Sequence, residues 1–250
     1  MSAGRTLVVG DVHGCLGELD ELLVTAEFRR GDDRVVFLGD LLDRGPDPVG
    51  VLRRVRELGA ECVLGNHEEK HLRYAAHEAR RRGDRAYRNP MRPFDPKRAA
   101  EHAALTGDDL GWLAGLPRSI SLGGGWMAVH AGFVPNVPAS RQPPDVVIRL
   151  RYVDAAGKPA TRERGEAGEP GIRRWAEAWT GPQSVVYEHH AQAEAGPRLD
   201  MPAPGVRCVG LDTGCVYGGF LTALVLPSEE LVQVPSRTRL ARQPEPEPDE

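Results

Sequence analysis

The stretch LVVGDVHG, at residues 7–14, places a glycine and two polar side chains directly after a short apolar run. The same arrangement recurs in VVFLGDLLDRG at residues 35–45 and in CVLGNHE at residues 62–68. Each apolar run has the length and composition of a buried β-strand. Asp, His and Asn side chains are suitable ligands for hard or borderline divalent cations. Three strand ends of this kind therefore predict one metal site assembled from all three.

The segments between these motifs have helical periodicity. Residues 16–28 carry apolar side chains at helical spacing, and residues 48–58 do the same after a proline that suits a first helical turn. The order β-α-β-α-β predicts a parallel sheet with right-handed crossovers. Functional groups in such sheets collect at the carboxyl ends of the strands. We therefore expect the polar side chains of the three motifs to lie at one edge of a sheet.

Two later segments repeat the placement of a polar residue after a buried strand. Residues 126–129 indicate a strand that ends at His130. Residues 184–187 indicate another, which leads to Glu188 and His189. A single histidine after an apolar run is more often structural, but beside the three N-terminal motifs both histidines are candidate metal ligands.

The motifs GDVHG, GDLLDRG, GNHE, HAG and the late histidine resemble the calcineurin-like metallophosphoesterases, in the branch of Ser/Thr protein phosphatases and symmetrical diadenosine tetraphosphatases. GLDTGCVYGG, at residues 210–219, resembles the closing strands of the diadenosine tetraphosphatase and bacterial protein-phosphatase subgroup. The resemblance implies an α/β fold, a four-layer αββα sandwich of two mixed β-sheets flanked by helices. It implies a single domain at residues 1–236, and the acidic, Pro-rich tail at residues 237–250 has the composition of a disordered segment.

The resemblance also implies two divalent metal ions. Asp11 and His13 would bind the first, Asp40 would bridge both, and Asn66, His130 and His189 would bind the second. Two such cations lower the pKa of a bridging water and clamp the attacking and leaving oxygens of an in-line displacement. The expected nucleophile is hydroxide held between the metals, without a phosphoenzyme. Mn²⁺ is the expected ion; Fe, Co, Zn and Mg are alternatives, because Asp, His and Asn ligands discriminate little among them.

The family pattern assigns catalytic roles to the remaining motif residues. His67 would donate a proton to the leaving oxygen, with Asp43 orienting its imidazole. Arg44 would bind phosphate oxygens through its planar guanidinium. A second arginine is expected to assist, with Arg149 and Arg151 as candidates and Arg151 preferred.

Glu188 departs from the family pattern, which has glycine directly before the late metal-binding histidine. Three alternatives stay open from the sequence. The glutamate could strain a turn that glycine would make at positive φ, point away from the site, or bring a further oxygen near the second metal. His190 is an alternative ligand to His189, although the register favours His189.

The segment after GNHE is a candidate cap over the metal edge. Residues 70–94 contain seven arginines with interleaved aromatic side chains. A helical cap insertion at about residues 70–116 would let Arg73 meet a polyphosphate and Tyr74 stack on a base. The alternative is a solvated helix face whose arginines pair with Glu68, Glu69 and Glu78.

Composition excludes several classes of protein. The net charge of −4 argues against a stable nucleic-acid partner or an anionic membrane surface. No apolar stretch approaches the ~20 residues of a membrane span. The chain begins directly before the first strand, which predicts no signal peptide and a cytoplasmic location. The four cysteines have no zinc or redox spacing.

These observations predict a metal-dependent hydrolase of phosphoric esters or anhydrides. The expected substrates are dinucleoside polyphosphates; the alternative is a phosphoprotein with phosphoserine, phosphothreonine or phosphotyrosine. The basic aromatic segment and GLDTGCVYGG favour the nucleotide. A further alternative is a catalytically weak metal-binding interaction module in which Glu188 has damaged the second site. The presence of His67, Asp43 and Arg44 argues against it, because a binding module needs no acid-catalysis pair.

Overall fold

The predicted β-α-β-α-β order is confirmed by the computed structural model, which describes residues 4–190 and 196–241. Its elements are β1 (Thr6–Val9), α1 (Leu16–Thr25), β2 (Arg34–Phe37), α2 (Pro48–Leu58) and β3 (Glu61–Cys62). The pairs β1–β2 and β2–β3 are both parallel. Helix α2 has the predicted bounds, because Asp47 caps its first turn and Gly59 ends it in a left-handed conformation. Helix α1 ends before the predicted residue 28, and Glu27 has a φ of +50°.

The described part of the chain after β3 begins with three consecutive helices and continues with strands separated by shorter helices. The helices are α3 (Asn66–Gly83), α4 (Pro96–Ala104), α5 (Gly107–Ala114), α6 (Arg162–Glu166) and α7 (Trp175–Ala178), with a 3₁₀ turn at Ala139–Arg141. The strands are β4 (Ser119–Gly123), β5 (Trp126–Val129), β6 (Tyr152–Val153), β7 (Pro159–Ala160), β8 (Arg173–Arg174), β9 (Ser184–Tyr187), β10 (Arg198–Ala203), β11 (Val206–Gly210), β12 (Phe220–Leu226) and β13 (Glu230–Pro235). The C-terminal part of the predicted helical insertion at about residues 70–116 contains two separate helices, α4 and α5, because Leu105 is extended and the Thr106 hydroxyl caps α5.

Two five-stranded mixed sheets form the centre of the molecule. Their strand orders are β13-β12-β1-β2-β3 and β10-β11-β9-β5-β4, and a small sheet, β7-β6-β8, lies apart. In β1, Leu7 and Val9 belong to the core under α1 and α2, whereas Val8 belongs to the core between the two sheets. The outer face of the second sheet packs against Trp175, the first residue of α7, and against Trp179, which directly follows that helix. The predicted four-layer α/β sandwich is therefore confirmed.

This architecture brings the carboxyl ends of five strands together. In the first sheet Val9 is level with Phe37, and Phe37 is level with Cys62. The loops after β1, β2 and β3 are therefore neighbours. Gly39 has a φ of +98°, and a Cβ there would lie 2.7 Å from the Gly65 nitrogen, so the loops after β2 and β3 approach closely only with glycine. In the second sheet β5 and β9 are parallel neighbours, which places their following histidines together.

Glu68 connects two of these loops. Its buried carboxylate accepts hydrogen bonds from the backbone N–H groups of Asp40, Leu41 and Leu42 at 2.8–3.0 Å, and from that of Gly65 at 3.2 Å. The interpretation of Glu68 as an acid on a solvated helix face is therefore wrong. An acceptor at this position fixes the loop that carries Asp40 to the first turn of α3.

Replacing Glu68 with glutamine is expected to lower the free energy of unfolding by about 1–3 kcal/mol, because the amide cannot accept from all of these buried donors. Urea unfolding followed by circular dichroism in the presence of EDTA measures this effect without a contribution from metal binding. Glu78→Gln is the matched control, since Glu78 lies in the same helix and pairs with Arg81 near the surface. Equal losses in both variants would contradict the connecting role of Glu68.

The predicted boundary between the domain and its tail, at residue 236, lies close to the last described residue. The tail predicted at residues 237–250 falls mostly outside them, because only residues up to 241 are described. The division into a domain at residues 1–236 and a tail therefore stays a prediction. None of the helices in residues 4–190 and 196–241 combines the length and apolarity needed to cross a membrane.

Candidate metal centre

Asp40 lies at the centre of the site, between two groups of side chains. Its Oδ2 is 3.4 Å from His13 Nε2, and its Oδ1 is 3.5 Å from His130 Nε2. Burial alone would raise the pKa of Asp40, but the basic side chains around it, Arg44 among them, outweigh burial and lower it. One carboxylate oxygen is thus directed to each group, as a bridging ligand requires.

The first group consists of Asp11, His13 and Asp40. His13 Nδ1 donates to the Leu42 carbonyl at 2.8 Å, which assigns the lone pair to Nε2. His13 Nε2 lies 3.8 Å from Asp11 Oδ2 and 2.9 Å from Arg44 Nη1. Burial and the Arg44 charge hold the pKa of His13 well below its ordinary value. The imidazole is therefore neutral near pH 7, which is its metal-binding form.

The second group surrounds His130. His130 Nε2 is 2.9 Å from Asn66 Oδ1 and 3.2 Å from His189 Nδ1. On its other side, His130 Nδ1 donates to the Leu38 carbonyl at 2.9 Å and to Glu188 Oε1 at 2.7 Å. Burial lowers the pKa of both His130 and His189. Both rings are therefore neutral, with nitrogen atoms directed at the same point as the Asn66 oxygen.

These donors fit divalent cations. Ligand atoms of Asp40, His130 and His189 all lie within 4.8 Å of one another, as do those of His13, Asp40 and His67. Carboxylate oxygens, an amide oxygen and neutral imidazoles are accepted by Mn, Fe, Co, Zn or Mg. Asp11 Oδ1 is buried and has no hydrogen-bond partner within the described part of the chain. An unpaired buried carboxylate oxygen is costly, and a cation would satisfy it.

A histidine–carboxylate pair lies beside the first group. His67 Nδ1 is 2.5 Å from Asp43 Oδ2, and His67 Nε2 is 3.8 Å from Asp40 Oδ2. Arg98 donates to Asp43 Oδ1 at 2.7 Å, and His71 Nε2 is 3.3 Å from the same oxygen. Burial would raise the pKa of Asp43, but its hydrogen bonds with His67, His71 and Arg98 hold it well below the ordinary value. Asp43 is therefore ionised and fixes the imidazole of His67.

Three supporting residues of this pair were not found from the sequence. They are His71, Arg98 and Glu101, and the last accepts a hydrogen bond from the Asp43 backbone N–H at 2.8 Å. Arg98 and Glu101 lie in α4, more than 50 residues after Asp43. A charged residue in an amphipathic helix has no local signal that distinguishes it from a solvated one, so only the fold could identify them.

The two arginine candidates occupy different positions at the site. Arg151 donates from Nη2 and Nε to the His189 carbonyl at 3.1 and 3.3 Å, so it lies beside the second group. Arg149 pairs instead with Glu69 in α3. Arg44 contacts His13 in the first group. The contacts of Arg151, the preferred candidate, therefore place it beside a candidate metal ligand, whereas the contact of Arg149 places it against α3.

The candidate cap borders the site through α4. Within it, Arg73 Nε lies 3.4 Å from Glu69, one turn earlier in α3. Tyr74 stacks on Phe94 with ring centroids 4.0 Å apart, and its ring also meets His102 edge-on. At least part of the Tyr74 ring is thus used in an internal aromatic cluster. Substrate binding by Arg73 and Tyr74 stays a prediction.

Glu188 points into the metal centre. His189 has a positive φ of +78° in this turn. Glu188 is not among the described residues with positive φ, so its own backbone is outside the left-handed region. Glu188 is 2% exposed and contacts His130. The alternatives of a strained Glu188 backbone and of a side chain that points away are therefore wrong. The His190 ring packs edge-on to Tyr152, whereas His189 faces His130, which favours His189 as the ligand.

Comparison with known proteins relates this chain to phosphoesterases. The sequence profile described as "Calcineurin-like phosphoesterase" matches residues 4–192. Among curated relatives, "Bis(5'-nucleosyl)-tetraphosphatase PrpE [asymmetrical]" of Halalkalibacterium halodurans is 31% identical, covering 93% of this chain and 94% of the relative. A symmetrical bis(5'-nucleosyl)-tetraphosphatase of Coxiella burnetii is 28% identical, covering 94% of this chain and 93% of the relative.

A solved structure is similar over nearly the same length. It is a crystal structure of "a putative diadenosine tetraphosphatase", with 33% sequence identity and a TM-score of 0.76. The match covers 94% of this chain and 95% of that one. A Ser/Thr protein phosphatase from Saccharomyces cerevisiae matches with 13% identity and a TM-score of 0.51, which shows a shared fold alone.

Proposed function

Because the chain belongs to the calcineurin-like phosphoesterase family, and is thus a hydrolase of phosphoric ester or anhydride bonds, we propose that it hydrolyses dinucleoside polyphosphates such as diadenosine tetraphosphate. The observation that carries the proposal is the position of Asp40 between two groups of candidate metal ligands, with His67 held nearby by Asp43. The choice of substrate is supported by the relatives named tetraphosphatases, which match over more than nine-tenths of both chains.

Two divalent cations are the proposed cofactor, with Mn²⁺ as the expected ion. One would be held by Asp11, His13 and Asp40, and the other by Asp40, Asn66, His130 and His189. When bound, such a pair supplies an activated water and stabilises the charge that develops on the transferred phosphoryl group.

His67 is the proposed proton donor. Its Nδ1 is held by ionised Asp43, so the proton that can be transferred is on Nε2, the atom that faces Asp40 and the centre of the site. An imidazole that a carboxylate holds in this orientation can act as the general acid that protonates the leaving oxygen.

Arginines on both sides of the site are proposed to hold the phosphate chain. Arg44 approaches from the first group, beside His13, and Arg151 from the second, beside His189. A guanidinium binds phosphate oxygens through two parallel N–H donors, so this pair can orient a chain of several phosphates. Arg149, Arg73 and Tyr74 are proposed as further substrate contacts at the rim. The cytoplasmic location stays a prediction.

The substrate proposal is tested by turnover with Mn²⁺ on diadenosine tetraphosphate, a phosphopeptide and para-nitrophenyl phosphate. We expect kcat/KM for diadenosine tetraphosphate to exceed that for the phosphopeptide by about 100-fold, equivalent to ~3 kcal/mol of additional transition-state binding. Chromatography of the nucleotide products also distinguishes symmetrical from asymmetrical cleavage. A preference for the phosphopeptide would reject the nucleotide proposal and support a phosphoprotein phosphatase. EDTA-treated enzyme is the control for metal dependence.

A further inference from the structure

Glu188 brings a buried carboxylate into a position where the family pattern has glycine. Its side chain is fully buried, and Oε1 accepts the hydrogen bond from His130 Nδ1 at 2.7 Å. The neighbouring backbone fixes it there, since the Glu188 N–H donates to the His130 carbonyl at 2.8 Å. This glutamate is therefore a buried, fixed carboxylate beside a candidate metal ligand, and its side chain is not a solvent-exposed one.

The other oxygen of this carboxylate is unsatisfied. Glu188 Oε2 and Asp11 Oδ1 are both buried, and neither has a hydrogen-bond partner in the described residues. The two residues are 2% and 7% exposed. Ligand atoms of Asp11, His130 and Glu188 all lie within 4.8 Å of one another. Carboxylate oxygens are both acceptors, so neither can satisfy the other unless a cation or a proton lies between them.

The charge around this pair favours a cation. Asp40 and Asp212 are also buried next to Asp11, so the region holds four carboxyl groups. Like charges in a region of low dielectric repel strongly, and a divalent cation between these carboxyl groups would offset that repulsion. Oxygen atoms less than 5 Å apart suit a single hard cation, whose bonds to oxygen are about 2.0–2.6 Å long.

We propose that Glu188 is an additional metal-binding carboxylate, which shares a divalent cation with Asp11. This inference rests on the two-metal part of the proposed function and gives this chain one more anionic ligand than the family pattern has. The added oxygen and charge favour cations that prefer oxygen ligands, such as Mn²⁺ and Mg²⁺, over Zn²⁺.

The test is Mn²⁺ binding to metal-free protein, measured by isothermal titration calorimetry and by bound metal after dialysis, without substrate. Glu188→Gln keeps the shape and the acceptor for His130 Nδ1 but removes the charge. It is expected to weaken the affinity for Mn²⁺ by about 100-fold or more, because the affinity of an oxygen-ligand site depends on the number of charged ligands. Glu188→Gly, which restores the family pattern, is expected to weaken it as well. Zn²⁺ affinity should fall less than Mn²⁺ affinity in both variants.

The alternatives predict other outcomes. If the two carboxyl groups merely share a proton, or if Glu188 only orients His130, the glutamine variant will bind Mn²⁺ as the wild type does, and the proposal is overturned. A gain in affinity in Glu188→Gly would mean that Glu188 obstructs the site, which also overturns it. Glu177→Gln is the matched control, because Glu177 is exposed and pairs with Arg198. Because binding is measured without substrate, wild-type turnover of diadenosine tetraphosphate tests the proposed function separately.

Discussion

Replacing Asp40 with asparagine is expected to lower kcat on diadenosine tetraphosphate by about 10³-fold or more, corresponding to a loss of several kcal/mol of transition-state stabilisation. The two oxygens of Asp40 are directed at His13 on one side and at His130 on the other. An amide offers one oxygen and no charge, so it cannot serve both groups. Asparagine is also among the residues that tolerate the φ of +46° found at this position, so the backbone should be retained.

The measurement combines steady-state kinetics at saturating Mn²⁺ with the metal content of the dialysed protein. Both kcat and bound metal are expected to fall, while the circular dichroism spectrum stays the same. Asp20→Asn is the matched control, since Asp20 pairs with Arg54 at the surface and should leave both quantities unchanged. A variant of Asp40 that retains activity within tenfold of the wild type would exclude the bridging role.

Replacing His67 with asparagine is expected to lower kcat by about 10²–10⁴-fold, the usual contribution of a positioned general acid. The size of the loss should depend on the leaving group. For diadenosine tetraphosphate and para-nitrophenyl phosphate, which release weakly basic anions, the loss should lie at the lower end. For phenyl phosphate, whose phenolate is more basic and needs protonation, it should lie near the upper end.

The comparison of the two aryl phosphates distinguishes proton donation from positioning. Equal losses on phenyl phosphate and para-nitrophenyl phosphate would show that His67 does not donate the proton. Bound metal should be unchanged in this variant, because His67 is not among the proposed ligands. His77→Asn is the matched control, since His77 lies ten residues later in the same helix, about 15 Å further along it, and bonds to Tyr87.

The fold and the candidate metal ligands could be predicted because their signals are local. Short apolar runs with glycine at their ends mark the strands, and the helical spacing between them marks the crossovers. The carboxyl ends of parallel strands then lie at one edge by geometry alone. The motifs of Asp11, Asp40 and Asn66 therefore predicted a shared site, and these residues and His130 are brought together in the structure.

The residues that hold the candidate catalytic groups in place have no such signal. Arg98 and Glu101 contact Asp43 from a helix more than 50 residues away in the chain. In the sequence they cannot be distinguished from ordinary charged residues of an amphipathic helix. Glu68 shows the same limit, because its sequence context suggests a surface acid while the fold buries it beneath four backbone donors.

Glu188 is the clearest case of a residue whose position could not be predicted from the sequence. Its neighbours in the chain left open whether it would strain the turn, point outward or enter the site. The direction of a side chain at a strand end depends on what packs around it, here His130 and Asp11 from two different sheets. Local pattern thus determines which helices and strands form and which candidate ligands follow them, since it reflects backbone periodicity. Only the tertiary contacts among sheets, helices and loops decide which charged groups become buried partners of those residues, because such contacts join residues far apart in the chain.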